Sequence, residues 1–417
     1  MNAPDIFDHG GIDPFADITA VDMEDHYGIL YATDRAPADE PMRPPFYSNS
    51  RGHVLRLGSA RISVEKEGVT WDEVRRVSLL KNRTEEFPLR VKDVTEYGVL
   101  DRSVTDLDDS TIVAHKSALP GTLFAERVNA QLARTSVKDV FIYTHGFRVN
   151  FENPLLVASE LWHYLGYEGV FIAYSWPATP SLWAYAYDME TAAFAGRNLR
   201  IFLQYLAEET DAERIHIVGY SAGTRVVAGA LWQLALLNDE LDKATIQKKL
   251  RLRHVILAGS DLDAGVFGGH LVDGIWKVPA HLSIYASATD AALNVSSIFF
   301  FGKRRLGAWG SDDTLSPTGA RILRERDDLL AIHVGDAAKS DAGNGHAYFR
   351  DSPWVSSDIL MTLRYDLLPE QRGLVRTDED PVWRFPPDYI ENLRDKVLRV
   401  DPELAERTKS QPAERNQ

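Results

Sequence analysis

Along the middle of the chain, short runs of β-branched and other apolar residues alternate with longer stretches whose apolar positions recur at helical spacing. The runs are Asp139–Thr144, Val170–Ser175, Ile215–Gly219, His254–Gly259, Leu282–Ser287 and Leu329–Val334. A brief apolar run bounded by turn residues reads as a strand buried on both faces. Between the first four lie the helical patterns Pro154–Leu165, Glu190–Glu208 and Thr224–Leu237, with Pro154 suited to a helix start. Strands alternating with helices predict an α/β fold with a mostly parallel central sheet flanked by helices. Its functional loops belong at the carboxyl ends of the strands. Upstream, Tyr27–Thr33 and Leu55–Val64 read as strands broken by Pro-rich and polar loops, and are expected as antiparallel N-terminal edge strands.

This pattern divides the chain into an acidic N-terminal arm (1–26), a main domain (27–368) and a C-terminal extension with a polar tail (369–417). Within the main domain, 27–100 carries the edge strands and 136–365 the core of alternating strands and helices. Residues 1–45 hold ten Asp and Glu against Arg35 and Arg43, so the arm is expected to be solvated. The net charge of −15 over 417 residues argues against nucleic acid or an anionic membrane surface as partner. No apolar run is long enough to span a bilayer, and the N-terminus has no signal-peptide pattern, so a cytoplasmic location is expected. With no cysteine in the chain, disulfides, thiolate metal sites and a cysteine nucleophile are excluded.

The chemistry concentrates where Ile215–Val218 runs through Gly219-Tyr-Ser221-Ala-Gly223 into an apolar helix. A serine pinned on so sharp a strand-to-helix turn presents its hydroxyl above the sheet edge, and small neighbours are needed because strand and helix approach closely. That arrangement is a nucleophile elbow. A serine hydroxyl needs a base, usually a histidine oriented by a carboxylate. Of the histidines after Ser221, His254 and His281 open strands at the wrong end of the sheet and His333 lies within one. His270, in a Gly-rich stretch, stays open. His346 is best placed, in the loop Asp341-Ala-Gly-Asn-Gly-His346 just beyond the last core strand. For the acid, Asp290 follows the strand at Leu282–Ser287, while Asp261 and Asp263 follow the preceding one. Asp290 is preferred and Asp263 is the alternative.

An oxyanion hole needs two backbone N–H donors. Ala222, next to the nucleophile, is one candidate; Phe147, in Thr144-His-Gly-Phe-Arg148, is the other, with His145 read as a residue that hydrogen-bonds this loop. Tyr220, Trp176 and Trp183 are candidates for lining an acyl or aryl pocket, and 296–305 is a candidate lid or a buried helix end. This chemistry requires no metal or organic cofactor.

Several of these stretches recur together in one family. Tyr143-Thr-His-Gly-Phe-Arg-Val-Asn-Phe151, Tyr174-Ser-Trp-Pro177, Gly219-Tyr-Ser-Ala-Gly-Thr-Arg225, Leu257–Phe267, Ile284–Leu293 and Gly345-His-Ala-Tyr348 resemble, in order, the α/β-hydrolase family catalogued as domain of unknown function 900. Tyr31-Ala-Thr-Asp-Arg-Ala-Pro37 is similar to its opening strand, and the likeness covers about 27–365. The resemblance implies an α/β-hydrolase fold and a Ser–Asp–His triad at Ser221, Asp290 and His346. This chain departs from the family in Tyr220-Ser-Ala222, where many members carry His-Ser-Met, and in Arg148, where Asn is frequent. The expectation is a serine hydrolase acting on a small carboxylic ester or related acyl compound. The alternatives are an acyltransferase using the same triad and a non-catalytic binding protein on the same scaffold.

Overall fold

The computed structural model describes the chain apart from residues 2, 19–27, 41–43, 67, 182–183, 288–289, 291–292, 294–304, 309–316, 336, 338–345 and 411–417. The described residues form a ten-stranded sheet: β1 (Ile29–Pro37), β2 (Tyr47–Val64), β3 (Leu89–Val99), β4 (Asp139–Thr144), β5 (Val170–Ser175), β6 (Arg214–Tyr220), β7 (Leu252–Ala258), β8 (His281–Ala286), β9 (Leu329–His333) and β10 (Trp383–Arg384). Their spatial order is β10-β9-β8-β7-β6-β4-β5-β1-β2-β3. From β10 to β1 every neighbour is parallel, whereas β1–β2 and β2–β3 are antiparallel.

The six core strands stand where the apolar runs put them, because those runs are buried on both sides. In β4, Val140 and Ile142 join the hydrophobic cluster under the helices Leu119–Leu132, Tyr185–Glu209 and Gly223–Leu236. Phe141 and Tyr143 face the opposite cluster, under Glu152–Tyr164 and Pro353–Tyr365. Burying each such side chain contributes about 1.5–3 kcal/mol, so the alternation holds both helix layers to one sheet.

One expectation, the solvated arm, is revised, and two stretches gain detail. The edge meander has a third strand, β3, in which only Val91 is buried and the other positions are half-buried or exposed without strict alternation, so that it lacks an apolar signature. Up to Phe15 the N-terminal arm is largely packed rather than solvated. Ala3, Ile6, Phe7, Ile12 and Phe15 are buried, with Phe15 stacked 4.3 Å from the His163 ring. Its acids are used rather than displayed: Lys81 reaches Asp5 at 2.9 Å and Asp8 at 3.3 Å, and Arg75 Nε donates to Asp13 at 2.9 Å. The C-terminal extension likewise joins the body. It supplies β10, and the helix Tyr389–Val400 buries Tyr389, Ile390, Leu393 and Val397. Residues 402–410 of the expected polar tail form a helix. No helix among the described residues is long and apolar enough to cross a membrane.

Candidate active site

β6 ends at Tyr220 and the helix begins at Gly223, leaving Ser221 in the turn with φ +51°. A non-glycine residue in the left-handed region is strained, by about 1–3 kcal/mol, and is kept there by its surroundings. Here the Ser221 N–H donates to Ala258 O (2.9 Å), and its carbonyl accepts from Thr224 N–H (3.0 Å) and Thr224 Oγ1 (2.6 Å). The flanking glycines are required by close approach. A Cβ on Gly223 would meet His145 O at 2.2 Å, and one on Gly219 would meet Val227 Cγ2 at 3.0 Å.

The structure brings Ser221, His346 and Asp290 into one hydrogen-bonded line. His346 Nε2 lies 2.8 Å from Ser221 Oγ, and Nδ1 lies 2.7 Å from Asp290 Oδ2. Asp290 is fully buried, and its other oxygen accepts the Leu293 N–H at 3.0 Å. Both carboxylate oxygens are thus held, one by the imidazole and one by the local turn. The His346 ring packs against Tyr220 (5.1 Å between centroids), which in turn packs on Phe349 at 4.6 Å.

Gly146 lies over the serine: a Cβ there would meet Ser221 Cβ at 2.9 Å and Oγ at 3.4 Å. The His145 ring nitrogen Nδ1 sits 2.7 Å from Gly146 O. Across a trans peptide the carbonyl and the following N–H point in opposite directions, so holding Gly146 O on the ring turns the Phe147 N–H away from it. Neither that N–H nor the Ala222 N–H has a hydrogen-bond partner among the described residues. Arg148 follows with φ +62°, a conformation Asn tolerates more easily. Burial pushes the His145 imidazole down to about 3, with the Arg35 cation adding to the effect, so it is neutral in the working range.

Beneath this loop is a residue that sequence reasoning did not single out. Arg35, at 0% exposure, sends Nη2 to Val149 O (2.8 Å), Nε to Ser175 Oγ (3.0 Å) and Nη1 to Asn49 Oδ1 (2.7 Å). It ties β1 to β2, to the end of β5 and to the loop after β4. Arg35 lies in the Tyr31–Pro37 stretch that carried the family resemblance, but nothing in that stretch signals a loop-bracing role.

The remaining candidates fall elsewhere. Asp263 caps the helix Ala264–Val272, accepting from Gly265 and Val266 N–H, and is not brought to His346. Asp261 is taken up by Tyr185 Oη (2.5 Å) and Arg225 (3.2 Å). His254 and His281 stack on one another at the amino ends of their strands, His270 stacks on Trp232, and His333 stays in β9. Trp176 follows the last residue of β5. It is fully buried, stacks on His145 at 5.3 Å and donates to His145 O at 2.7 Å, which makes it part of the scaffold under the loop. Trp183 and residues 296–304 of the lid candidate lie outside the described residues; Arg305 is buried, its backbone forming an isolated antiparallel β-bridge with that of Asp263 and its guanidinium lying 3.7 Å from Asp261 Oδ1. Among the described residues, no group of three or more His, Asp or Glu is arranged to hold a metal ion.

No curated protein matches the sequence. A family model described as alpha/beta hydrolase of unknown function (DUF900) matches residues 122–364, which run from the helix before β4 through the helix after His346 and include the elbow. With more than half of its length matched, on a ten-stranded, mostly parallel sheet whose β6 turns sharply into a helix at Ser221, the chain belongs to the DUF900 family of α/β hydrolases.

Proposed function

We propose that this protein is a serine hydrolase that cleaves a small carboxylic ester or related acyl compound through an acyl-enzyme. The observation that carries this reading is the line from Asp290 through His346 to Ser221, at 2.7 and 2.8 Å, under the Gly146 backbone. Ser221 Oγ attacks the substrate carbonyl while its proton passes to His346 Nε2. Asp290 holds the Nδ1–H tautomer and balances the imidazolium charge. The negative charge on the carbonyl oxygen is met by the Ala222 and Phe147 N–H groups, each worth about 10²–10³ in rate. The tetrahedral intermediate collapses, His346 returns its proton to the leaving alkoxide, and the acyl group remains on Ser221. Water then attacks with His346 as base, releasing the acid and restoring the serine.

The test is intact-mass labelling with a fluorophosphonate alongside turnover of p-nitrophenyl esters, in the wild type and in Ser221→Ala. A single adduct lost in the variant is expected, together with a fall in kcat approaching about 10⁶-fold. Ester turnover that survives the substitution rejects Ser221 as nucleophile.

A further inference from the structure

Two residues beyond His346, Tyr348 is buried with its hydroxyl in the gap where β7 and β8 part company. The two strands pair up to Ala258 and Tyr285. At the next residue Gly259 turns with φ +55°, and its N–H donates to Tyr285 O in a long hydrogen bond of 3.3 Å. Tyr348 Oη enters this gap, accepting the Gly259 N–H in a short hydrogen bond and donating to Tyr285 O at 2.7 Å. Burial holds the phenol far above its ordinary pKa, so it remains neutral and able to do both.

Gly259 is in turn the floor of the imidazole. A Cβ on it would stand 3.2 Å from His346 Cε1, 3.4 Å from Nδ1 and 3.6 Å from Asp290 Oδ2. The phenol therefore joins the segment that carries His346 to the glycine beneath its ring and to the end of the strand that leads to Asp290. We propose that Tyr348 is a positioning residue for His346, setting through Gly259 the height and tilt at which the imidazole meets Asp290 and Ser221. For its effect on turnover, this inference rests on the hydrolase reading above; for the imidazole geometry it does not.

Tyr348→Phe removes the shorter of the two hydrogen bonds of the Gly259 N–H and leaves it the 3.3 Å bond to Tyr285 O. The experiment compares this variant with the wild type by the far-downfield Nδ1 proton resonance of His346, assigned with His346→Gln, and by kcat and KM on a p-nitrophenyl ester. The resonance should shift or broaden. kcat should fall by about ten- to a hundredfold, with KM within about twofold, since misplacing a catalytic group costs rate rather than ground-state binding. Gly259→Ala, which presses a methyl against the ring, should give the same pattern. An unmoved resonance in Tyr348→Phe overturns the inference whatever the turnover. A wild type with the resonance but no Ser221-dependent turnover rejects the hydrolase reading, while the response to Tyr348→Phe still decides the positioning role.

Discussion

Gly146 and Ser221 are in such close apposition that a single added methyl on the glycine would fall 2.9 Å from the serine Cβ. Gly146 is not among the residues with positive φ, so its backbone accepts alanine and only the clash is at stake. Gly146→Ala should keep the fold and its melting temperature, while kcat on p-nitrophenyl esters falls by about 10²–10³-fold as the donor loop is pushed off the carbonyl oxygen. Steady-state kinetics beside thermal melting checks this, and an alanine variant with wild-type kcat would contradict it.

In the helix Pro353–Tyr365, Asp358 gathers Arg372 Nε (2.6 Å), Arg372 Nη2 (3.1 Å), Tyr285 Oη (2.5 Å) and Tyr389 Oη (2.8 Å), with both charged partners fully buried. Removing one partner strands a cation in the interior. Asp358→Ala should therefore destabilise the protein by about 3–5 kcal/mol, measured by urea unfolding. A loss below about 1 kcal/mol would mean that Arg372 finds water or another acceptor.

At the amino ends of the strands, Phe141, His216, His254 and His281 stack across neighbouring strands at centroid spacings of 5.1, 5.5 and 5.2 Å. Burial, the main cause, lowers His254 to about 3 and His281 to about 4, and His216 moves in the same direction. Unfolded, these rings titrate near 6.5, so below that pH the unfolded chain binds more protons than the folded one. Their contribution to stability is complete above about pH 6.5 and is lost as pH falls towards 3–4. Asp34, raised to about 6 chiefly by burial, acts oppositely and gains stability between about pH 6 and 4, and burial moves Glu152, Asp188 and Asp351 the same way. Against them, His145 and His163, lowered to about 3, and His270 join the three rings. Urea midpoints should therefore decline from pH 7 to 4, and His281→Phe should flatten part of the slope. A flat profile would show that the ladder opens to solvent.

Much of the fold was legible in the chain because strands buried on both faces must be apolar throughout. Asp139–Thr144 and Val170–Ser175 appear as strands without adjustment. β3 was not legible, since an edge strand satisfies its exposed face with Lys92, Asp93 and Glu96 and looks like a polar loop. In the N-terminal segment the density of aspartates concealed a buried apolar set at Ile6, Phe7, Ile12 and Phe15, because charge counts do not reveal which carboxylates meet Lys81 or Arg75. Trp176 was ambiguous for a related reason: an aromatic residue at the carboxyl end of a strand can face a pocket or floor a loop, and its stacking on His145 is visible only in three dimensions.

What the sequence determined by itself is local: the strand-turn-helix at Gly219–Gly223, the order of strands and helices, and a short set of serine, histidine and aspartate candidates. These follow from side-chain size and periodicity, which act between near neighbours. The tertiary structure decided which candidates meet. Ser221, Asp290 and His346 are far apart in the chain and converge because parallel strands deliver their carboxyl ends to one edge of the sheet. Arg35 and Tyr348 came to light only there, since their hydrogen bonds go largely to backbone carbonyl and N–H groups of distant loops. Every residue carries such groups, so nothing in the sequence marks which of them a buried side chain will reach.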